Sequence, residues 1–353
     1  MKNISYHVLG VMSGTSLDGI DLAEVTFHFK QQEVLYEFGE VATLEYNKKW
    51  KGILSEIDQY SEEKTNKLNI EYTQYLGEKI SDFIKLNRLT SLDAVCSHGH
   101  TVWHQPEKSF TLQIGNLPLL AQIIKQKVVC DFRVQDVLKG GQGAPLVPIG
   151  DRILFSQFDA CINLGGFANI SEEKKGERLA YDICPVNIVL NHFAKKCGFE
   201  FDPEGRIAAS GKVNKILLEK LNQLDYYQKA PPKSLGKEWV RQKIWPLLEN
   251  SQLTPKDILA TFTSHIAHQI AFSLPSSSKI LFTGGGVYND FLMKSIRQFT
   301  SSEIVIPSPE LIEYKEALIF GLLGVLKLRG EINILKSVTG AREDHSSGKI
   351  FEP

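Results

Sequence analysis

Three short loops in this chain combine glycine with small polar residues, and each follows an apolar run. The first is Gly10-Val11-Met12-Ser13-Gly14-Thr15-Ser16-Leu17-Asp18-Gly19-Ile20-Asp21. Glycine lets backbone N–H groups approach a phosphate, and the hydroxyls of Ser13, Thr15 and Ser16 add donors. Asp18 is suited to hold a water on Mg2+, an ion that favours carboxylate and water oxygens. No Gly-Lys-Ser/Thr follows at the Walker spacing, so this is a different kind of phosphate loop. The second loop is Asn163-Leu164-Gly165-Gly166-Phe167-Ala168-Asn169-Ile170, and the third is Thr283-Gly284-Gly285-Gly286-Val287-Tyr288-Asn289-Asp290. Each alone reads equally as a tight turn. Together they suggest a nucleotide held between two lobes.

Other segments carry groups suited to binding and acting on a second ligand. Asp182 ends an apolar run just before Ile183-Cys184-Pro185. A carboxylate there serves as a general base or as the N-cap of the following helix. Gly140-Gly141-Gln142-Gly143-Ala144-Pro145-Leu146-Val147-Pro148 follows Asp131-Phe132-Arg133 and Asp136. It reads as a rigid wall that brings backbone donors to a ligand, or as a hinge. His98-Gly99-His100-Thr101-Val102-Trp103-His104 gathers three histidines in seven residues. Metal ligation, substrate contact and a structural role are all open to it, although no acidic or thiolate partner lies nearby at metal spacing.

The elements that must position these residues follow from periodicity. Tyr6–Val11, Ile20–Phe29 and Val34–Tyr46 read as a strand meander with a polar turn at Lys30-Gln31-Gln32 and a bend at Gly39. A helix is expected over 65–86, with short strands at 94–97, 111–114 and 128–130 and a helix over 117–126 between the last two. The same grammar returns at 160–164, 168–171 and 178–183, followed by a helix over 186–196. A glycine loop follows the first strand each time, which points to an internal duplication. Later come a helix whose face is Val213, Ile216, Leu217, Leu221 and Leu224, and a strand over 279–282. A helix over 316–326, apolar on nearly every face, is expected to be buried. The tail from Lys336 reads as polar and loop-like.

The bulk numbers set the class. The chain has 353 residues, 42% hydrophobic and 23% charged, which suits two packed domains of a soluble protein. A net charge of −1 argues against nucleic acid as a partner, because such binders carry a basic surplus. The five cysteines form no paired spacing, and Cys96, Cys130 and Cys161 read as small buried hydrophobes. There is neither a leader-like apolar stretch nor a membrane-length one, so the cytoplasm is the expected compartment.

The ordered motifs resemble those of the anhydro-N-acetylmuramic acid kinases. Ser13-Gly14-Thr15-Ser16-Leu17-Asp18-Gly19 is similar to that family's opening phosphate motif. His98-Gly99-His100-Thr101 through Pro106, Thr111-Leu112-Gln113-Ile114-Gly115, and Asp131-Phe132-Arg133 with Gly140 through Leu146 match its middle segments. Asn163 through Ile170 resembles its second phosphate motif, and Thr283 through Gly286 with Asn289 and Leu292-Met293 its adenosine motif. Glu316-Ala317-Leu318 and Thr339-Gly340-Ala341 resemble its C-terminal segments. The likeness spans nearly the whole chain.

The resemblance implies an α/β, two-lobed, ribonuclease-H-like duplicated fold of the sugar kinase/actin superfamily, with mixed sheets flanked by helices. The lobes are expected at 1–135 and 136–335, with the tail 336–353 returning to the first. It implies an ATP-dependent kinase that opens 1,6-anhydro-N-acetylmuramic acid with water and phosphorylates its 6-oxygen, using Mg2+. Asp182 is the implied catalytic base. Gly14, Thr15, Ser16, Leu17, Asp18, Gly19, Ile20, Asp21, Gly165, Gly166, Asn169, Gly284, Gly285, Gly286 and Asn289 are the implied ATP contacts, with Asp18 reaching Mg2+ through water. His98, Thr101, Gln113, Asp131, Arg133, Gly141, Gln142, Gly143, Ala144, Pro145, Asn187 and Glu316 are the implied sugar contacts. A homodimer is a family expectation.

One segment departs from the pattern. The family's Asp-Thr-Gly-Pro-Gly-Asn, followed by Asp, is here Asp182-Ile183-Cys184-Pro185-Val186-Asn187, followed by Asn191. Asn116 stands where Asp is common. Bulkier side chains after Asp182 are expected to reshape the floor beside the base. A kinase for a related amino sugar, and a nucleotide-binding protein without transfer, are the alternatives.

Overall fold

The computed structural model describes residues 4–14, 17–30 and 33–353. The chain forms two compact units: residues up to Leu154 together with Tyr314–Pro353, and Phe155–Glu313. The expected divisions at 135/136 and 335/336 fall elsewhere for a packing reason. The helix Val147–Leu154 and the helix Pro309–Leu328 are joined by a buried ion pair, Lys315 Nζ to Asp151 Oδ1 at 2.8 Å.

In the first unit, β1 (Ile4–Ser13), β2 (Ile20–Lys30) and β3 (Glu33–Leu44) form an antiparallel meander. β4 (Ala94–Ser97) lies parallel to β1 on its other side. β5 (His100–Gln105) and β6 (Phe110–Ile114) form a separate hairpin, and β7 (Val128–Cys130) is parallel to β4. Burial grades across the sheet. Val8 to Ser13 of the central β1 are all buried, β2 alternates, and the edge strand β3 has no buried residue, as expected for a sheet covered on both faces at its centre. The bend expected at Gly39 is real: a bulge follows Ala23, and Glu24 turns its carboxylate across Gly39 to accept from Glu40 N–H at 2.8 Å.

Two helices sandwich β1. Leu68, Tyr72, Leu76 and Ile80 of the helix Glu62–Leu86 pack with Leu9, Val11, Ile20 and Leu22. That helix is capped by Ser61, whose Oγ accepts from Lys64 N–H. On the other face, Ala317, Gly321 and Gly324 of the helix Pro309–Leu328 form a small-residue stripe. A Cβ at Gly10 would overlap the Ala317 carbonyl, and one at Gly324 would overlap the Cys96 sulfur.

In the second unit, β8 (Ala160–Leu164), β9 (Phe167–Lys174) and β10 (Glu177–Pro185) repeat the meander. β11 (Lys279–Thr283) and β12 (Glu303–Val305) then add parallel strands on the far side of β8. The order β10-β9-β8-β11-β12 repeats β3-β2-β1-β4-β7, so the expected duplicated ribonuclease-H-like topology is present. The helix Pro255–Ser273 supplies Ile258, Phe262, Ile266 and Ile270 to a core shared with Ala160, Ile162 and Phe282.

Several local expectations need correcting. The charged turn over 172–177 narrows to Lys175-Gly176, both at positive φ (54° and 82°), the conformation of a two-residue hairpin turn. The helix near 117–126 spans only Leu119–Ile124, ending where Lys125 turns left-handed. Val213 and Ile216 are exposed. Asn214 caps the helix Lys215–Asn222, which leaves Val213 outside it and turns Leu217 and Leu221 inward. The tail is not all loop: Lys336–Thr339 is helical, and β13 (Lys349–Phe351) pairs antiparallel with β7. β6 matches the strand expected at 111–114, whereas its hairpin partner β5 was not expected, because only Val102 and Trp103 of its residues are apolar. We expect Gly10→Ala to force β1 off the helix Pro309–Leu328 and to destabilise the protein by ~3 kcal/mol or more. Urea midpoints of the two proteins measure this.

Candidate functional site

The first glycine loop joins β1 to β2, which pair as far as Ser13 and Ile20. Thr15 and Ser16 lie outside the described residues. Ser13 does not offer its hydroxyl to a ligand as expected. It is fully buried, with Oγ 2.6 Å from both the Tyr46 and Tyr72 hydroxyls and 3.5 Å from His100 Nδ1. Ser13 is thus an anchor at the root of the loop. Gly14 accepts from Leu17 N–H at 3.4 Å, and Leu17 sits at φ 61°. Asp18 is exposed. Gly19 is required because a Cβ would press on Thr43 and the Leu44 carbonyl. Ile20 is core, and Asp21 accepts from Thr43 Oγ1 at 2.6 Å.

Near the C-terminal ends of β4 and β7 in the same unit, the proposed sugar residues form a connected set. His98 Nδ1 donates to the Gly99 carbonyl at 2.8 Å, so its Nε2 is the acceptor for Arg133 Nε–H, also at 2.8 Å. Burial, and then the neighbouring Arg133 charge, push the His98 pKa well below the usual imidazole value, which keeps this tautomer neutral. Arg133 also donates to the Gly143 carbonyl at 2.5 Å. Burial brings the guanidinium pKa down to about 10, opposed by Glu316 and Asp136. Glu316 has its own pKa raised by burial, opposed by Arg133 and reinforced by Asp21. Its side chain remains solvent-accessible.

The other sugar candidates divide. Thr101 stands opposite Gln113 across the β5–β6 hairpin. Gln113 is buried and donates to Thr111 Oγ1 at 2.8 Å, while its Oε1 has no partner among the described residues. An unpaired buried acceptor is costly. Asn116 Oδ1 is likewise unpartnered, its amide donating to the His98 carbonyl. Asp131, at φ 60°, is ion-paired with Lys349 at 2.7 Å. Gly141 and Gly143 are buried, whereas Gln142 and Pro145 are exposed and Ala144 is partly buried. The three histidines diverge to separate partners, His104 to Thr111 Oγ1 at 3.0 Å. Among the described residues no three His, Cys, Asp or Glu side chains gather for a metal.

In the second unit, Asn163, Asn169 and Asp182 face one another in register across β8, β9 and β10, so their side chains share one face of the sheet. Asp182 is not the helix cap; the helix Asn187–Lys196 starts after Val186. Its position is fixed from a distant segment. Its N–H donates to the Lys233 carbonyl at 3.1 Å, its carbonyl accepts from Tyr226 O–H at 2.6 Å, and its Oδ2 accepts from Leu235 N–H at 2.8 Å. Among the described residues no donor reaches Oδ1. Burial raises the carboxyl pKa, opposed by the Leu235 N–H. Nothing in the local sequence signals Tyr226, Lys233 or Leu235.

The second glycine loop serves that helix. The Gly166 carbonyl accepts from Val186 N–H at 2.8 Å and Ile188 N–H at 3.3 Å, and the Gly165 carbonyl from Asn187 N–H at 3.3 Å. Asn187 also donates to the Leu164 carbonyl at 3.5 Å. The third loop lies on β8: Cβ atoms at Gly284 and Gly286 would collide with Asn163 or Leu164, whereas Gly285 is open. Asn289 caps the helix Asp290–Phe299, accepting from Leu292 N–H at 2.9 Å. The altered residues after Asp182, expected to reshape the floor beside it, point into the core. Ile183, Cys184 and Val186 are buried in the core of this unit, because the register shift between Asp182 and Cys184 turns the chain inward.

A family model described as anhydro-N-acetylmuramic acid kinase matches residues 6–353. Curated relatives carrying that name include one from Haemophilus influenzae, 31% identical over 98% of this chain and 97% of its own length. Another is from Sulfurimonas denitrificans, 32% identical over 99% of this chain and 100% of its own. A third, from Pasteurella multocida, is 33% identical over 99% and 98%.

The raised Asp182 pKa has a consequence for stability. A carboxyl whose folded pKa lies above its unfolded value stabilises the fold fully below the unfolded pKa, and that contribution is lost as pH rises through the folded pKa. Asp182→Asn removes this loss, so we expect a melting temperature at pH 7 equal to or above that of the wild type. The difference should narrow as pH falls toward 4, and thermal scans across pH measure it.

Proposed function

Because this chain belongs to the anhydro-N-acetylmuramic acid kinase family, we propose that it opens the 1,6-anhydro ring of N-acetylmuramic acid with water. It transfers the γ-phosphoryl group of ATP to the 6-oxygen, giving N-acetylmuramic acid 6-phosphate in cell-wall recycling in the cytoplasm. The observation that carries this reading is the Asp182 carboxylate, with Oδ2 tied to Leu235 N–H, Oδ1 open, and a pKa raised by burial. A held carboxylate of raised basicity suits a general base.

The chemistry proceeds in one balanced sequence. Asp182 takes a proton from water as its oxygen forms a bond to the anomeric carbon from the face opposite the bridge. The bond from that carbon to the bridging 6-oxygen breaks, as in inverting glycoside hydrolysis. The freed 6-oxygen bonds to the γ-phosphorus, and ADP leaves. Phosphoryl transfer rests on positioning and charge stabilisation.

The backbone of Gly14 to Asp21, with Gly165, Gly166 and Asn169, is assigned to the ATP phosphates, and Gly284–Gly286 with Asn289 to the adenosine. Bound Mg2+ would neutralise charge on the phosphates. The exposed carboxylate of Asp18 fits an ion that keeps several waters and takes only one or two carboxylates. Arg133, Glu316 and His98 are assigned to the sugar, and the unpaired Gln113 Oε1 offers an acceptor for a hydroxyl or amide proton. The burial of Ile183, Cys184 and Val186 supports keeping the family's sugar as the substrate.

Incubation with ATP, Mg2+ and 1,6-anhydro-N-acetylmuramic acid should yield the 6-phosphate. Asp182→Asn should lower kcat by ~1,000-fold, a typical size for a lost base, with ATP affinity unchanged. Preference for an ordinary amino sugar would overturn the substrate, and near-normal turnover in the variant would overturn the base.

A further inference from the structure

The glycine run assigned to the sugar is tied to the C-terminal segment through one fully buried carboxylate. Asp136 has no exposed surface. Its Oδ2 accepts from Gly143 N–H at 2.6 Å, and its Oδ1 accepts from Thr339 Oγ1–H at 2.8 Å. A Cβ at Gly141 would overlap this carboxylate. Thr339 acts twice, because its carbonyl also accepts from Gln142 N–H at 2.7 Å. His345, equally buried, faces Asp136 Oδ1 with Nε2 at 3.6 Å while its Nδ1 donates to the Glu343 carbonyl.

The same two segments touch along their length. Arg342 N–H donates to the Lys139 carbonyl at 3.3 Å, and Lys139 pairs with Glu343. Pro145, Leu146 and Ile149 line a small apolar gap with Ile334, Leu335 and Val338. The consequence reaches the site through Gly143. Its N–H is held by Asp136 and its carbonyl by Arg133, whose Nε–H in turn is held by His98. The Gly143 peptide cannot shift without disturbing the Arg133 guanidinium.

We propose that Asp136 and Thr339 are positioning residues, through which the C-terminal segment sets the geometry of the Gly141–Pro145 run and of Arg133 for the sugar. The proposal rests on the sugar assignment of that run for its catalytic consequence, but the coupling itself does not depend on which ligand is bound. Without the Thr339 hydroxyl, one oxygen of the buried carboxylate has no donor, which penalises the closed arrangement relative to local opening around Gly143. Misplacing a substrate-holding group by about 1 Å costs up to ~100-fold in rate.

Thr339→Val keeps the shape of the side chain and removes the hydroxyl; Thr339→Ser keeps the hydroxyl. Ile57→Val, in the core away from both segments, reports loss of stability alone. Amide hydrogen exchange at Gly143 should accelerate ~10-fold or more in Thr339→Val, stay near wild type in Thr339→Ser, and be unchanged in Ile57→Val. With turnover of the anhydro sugar, KM for the sugar should rise ~10-fold in Thr339→Val alone, with KM for ATP unchanged. Unaltered Gly143 exchange in Thr339→Val would overturn the proposal, as would failure of serine to restore it or an equal rise in both KM values. If the wild-type chain turns over no anhydro sugar, the functional reading fails, and the exchange measurement still decides the coupling.

Discussion

The close approach of Gly10 to the Ala317 carbonyl sets the spacing between sheet and helix in the first unit. It leaves no room for a side chain at position 10, and Gly321 and Gly324 continue the close approach along the helix. Interiors are packed densely enough that such a contact fixes register as well as distance. Glu316 immediately precedes Ala317, so the register that seats Ala317 on Gly10 also sets the height of the Glu316 carboxylate. It then lies close enough to Arg133 and Asp21 for each to shift its proton affinity. The first glycine loop begins only a few residues after Gly10, at the end of the same strand. A packing contact with no chemistry of its own therefore positions a charged group relative to a glycine loop.

The second unit holds its carboxylate by a different device. Asp182 sits at a bulge, where the strand ladder is interrupted, and the segment Tyr226–Leu235 supplies the missing partners through two backbone bonds and one to the carboxylate. Burial raises the carboxyl pKa, and a single N–H partly restrains that rise. More donors would push the pKa down and weaken a base; none would leave the carboxylate unanchored. The bulge also explains how Ile183, Cys184 and Val186 are accommodated. Turned inward, they are under the constraints of a hydrophobic core rather than those of a ligand surface.

Much of this was legible in the sequence where the signal is local. Apolar strands ending in glycine mark β1, β8 and β11, and the doubled meander follows from spacing alone. Asp182, Arg133 and the glycine run stand out as chemistry-bearing residue types. What stayed hidden depends on contacts between segments far apart in the chain. The hydroxyl of Ser13 looked like a phosphate donor until Tyr46 and Tyr72 closed over it. Leu235 reaches Asp182 through a backbone N–H that every non-proline residue possesses, so no residue type betrays it. The tail reads as polar loop because Thr339, His345 and Ser347 are polar, yet all three are buried.

Those buried polar residues also explain why the glycine run carries glycines at all. At Gly143 the backbone is left-handed, at φ 67°, and a Cβ would press on Val137. At Gly141 the backbone is ordinary, and the reason is instead the Asp136 carboxylate packed against it. Neither demand is flexibility. Both arise because a charge has been buried within reach of the main chain, and a buried charge is tolerable only if donors surround it. The run is a cradle built round a carboxylate before it is a surface for a ligand. That order explains how backbone alone, with few side chains of its own, can be held at a fixed geometry.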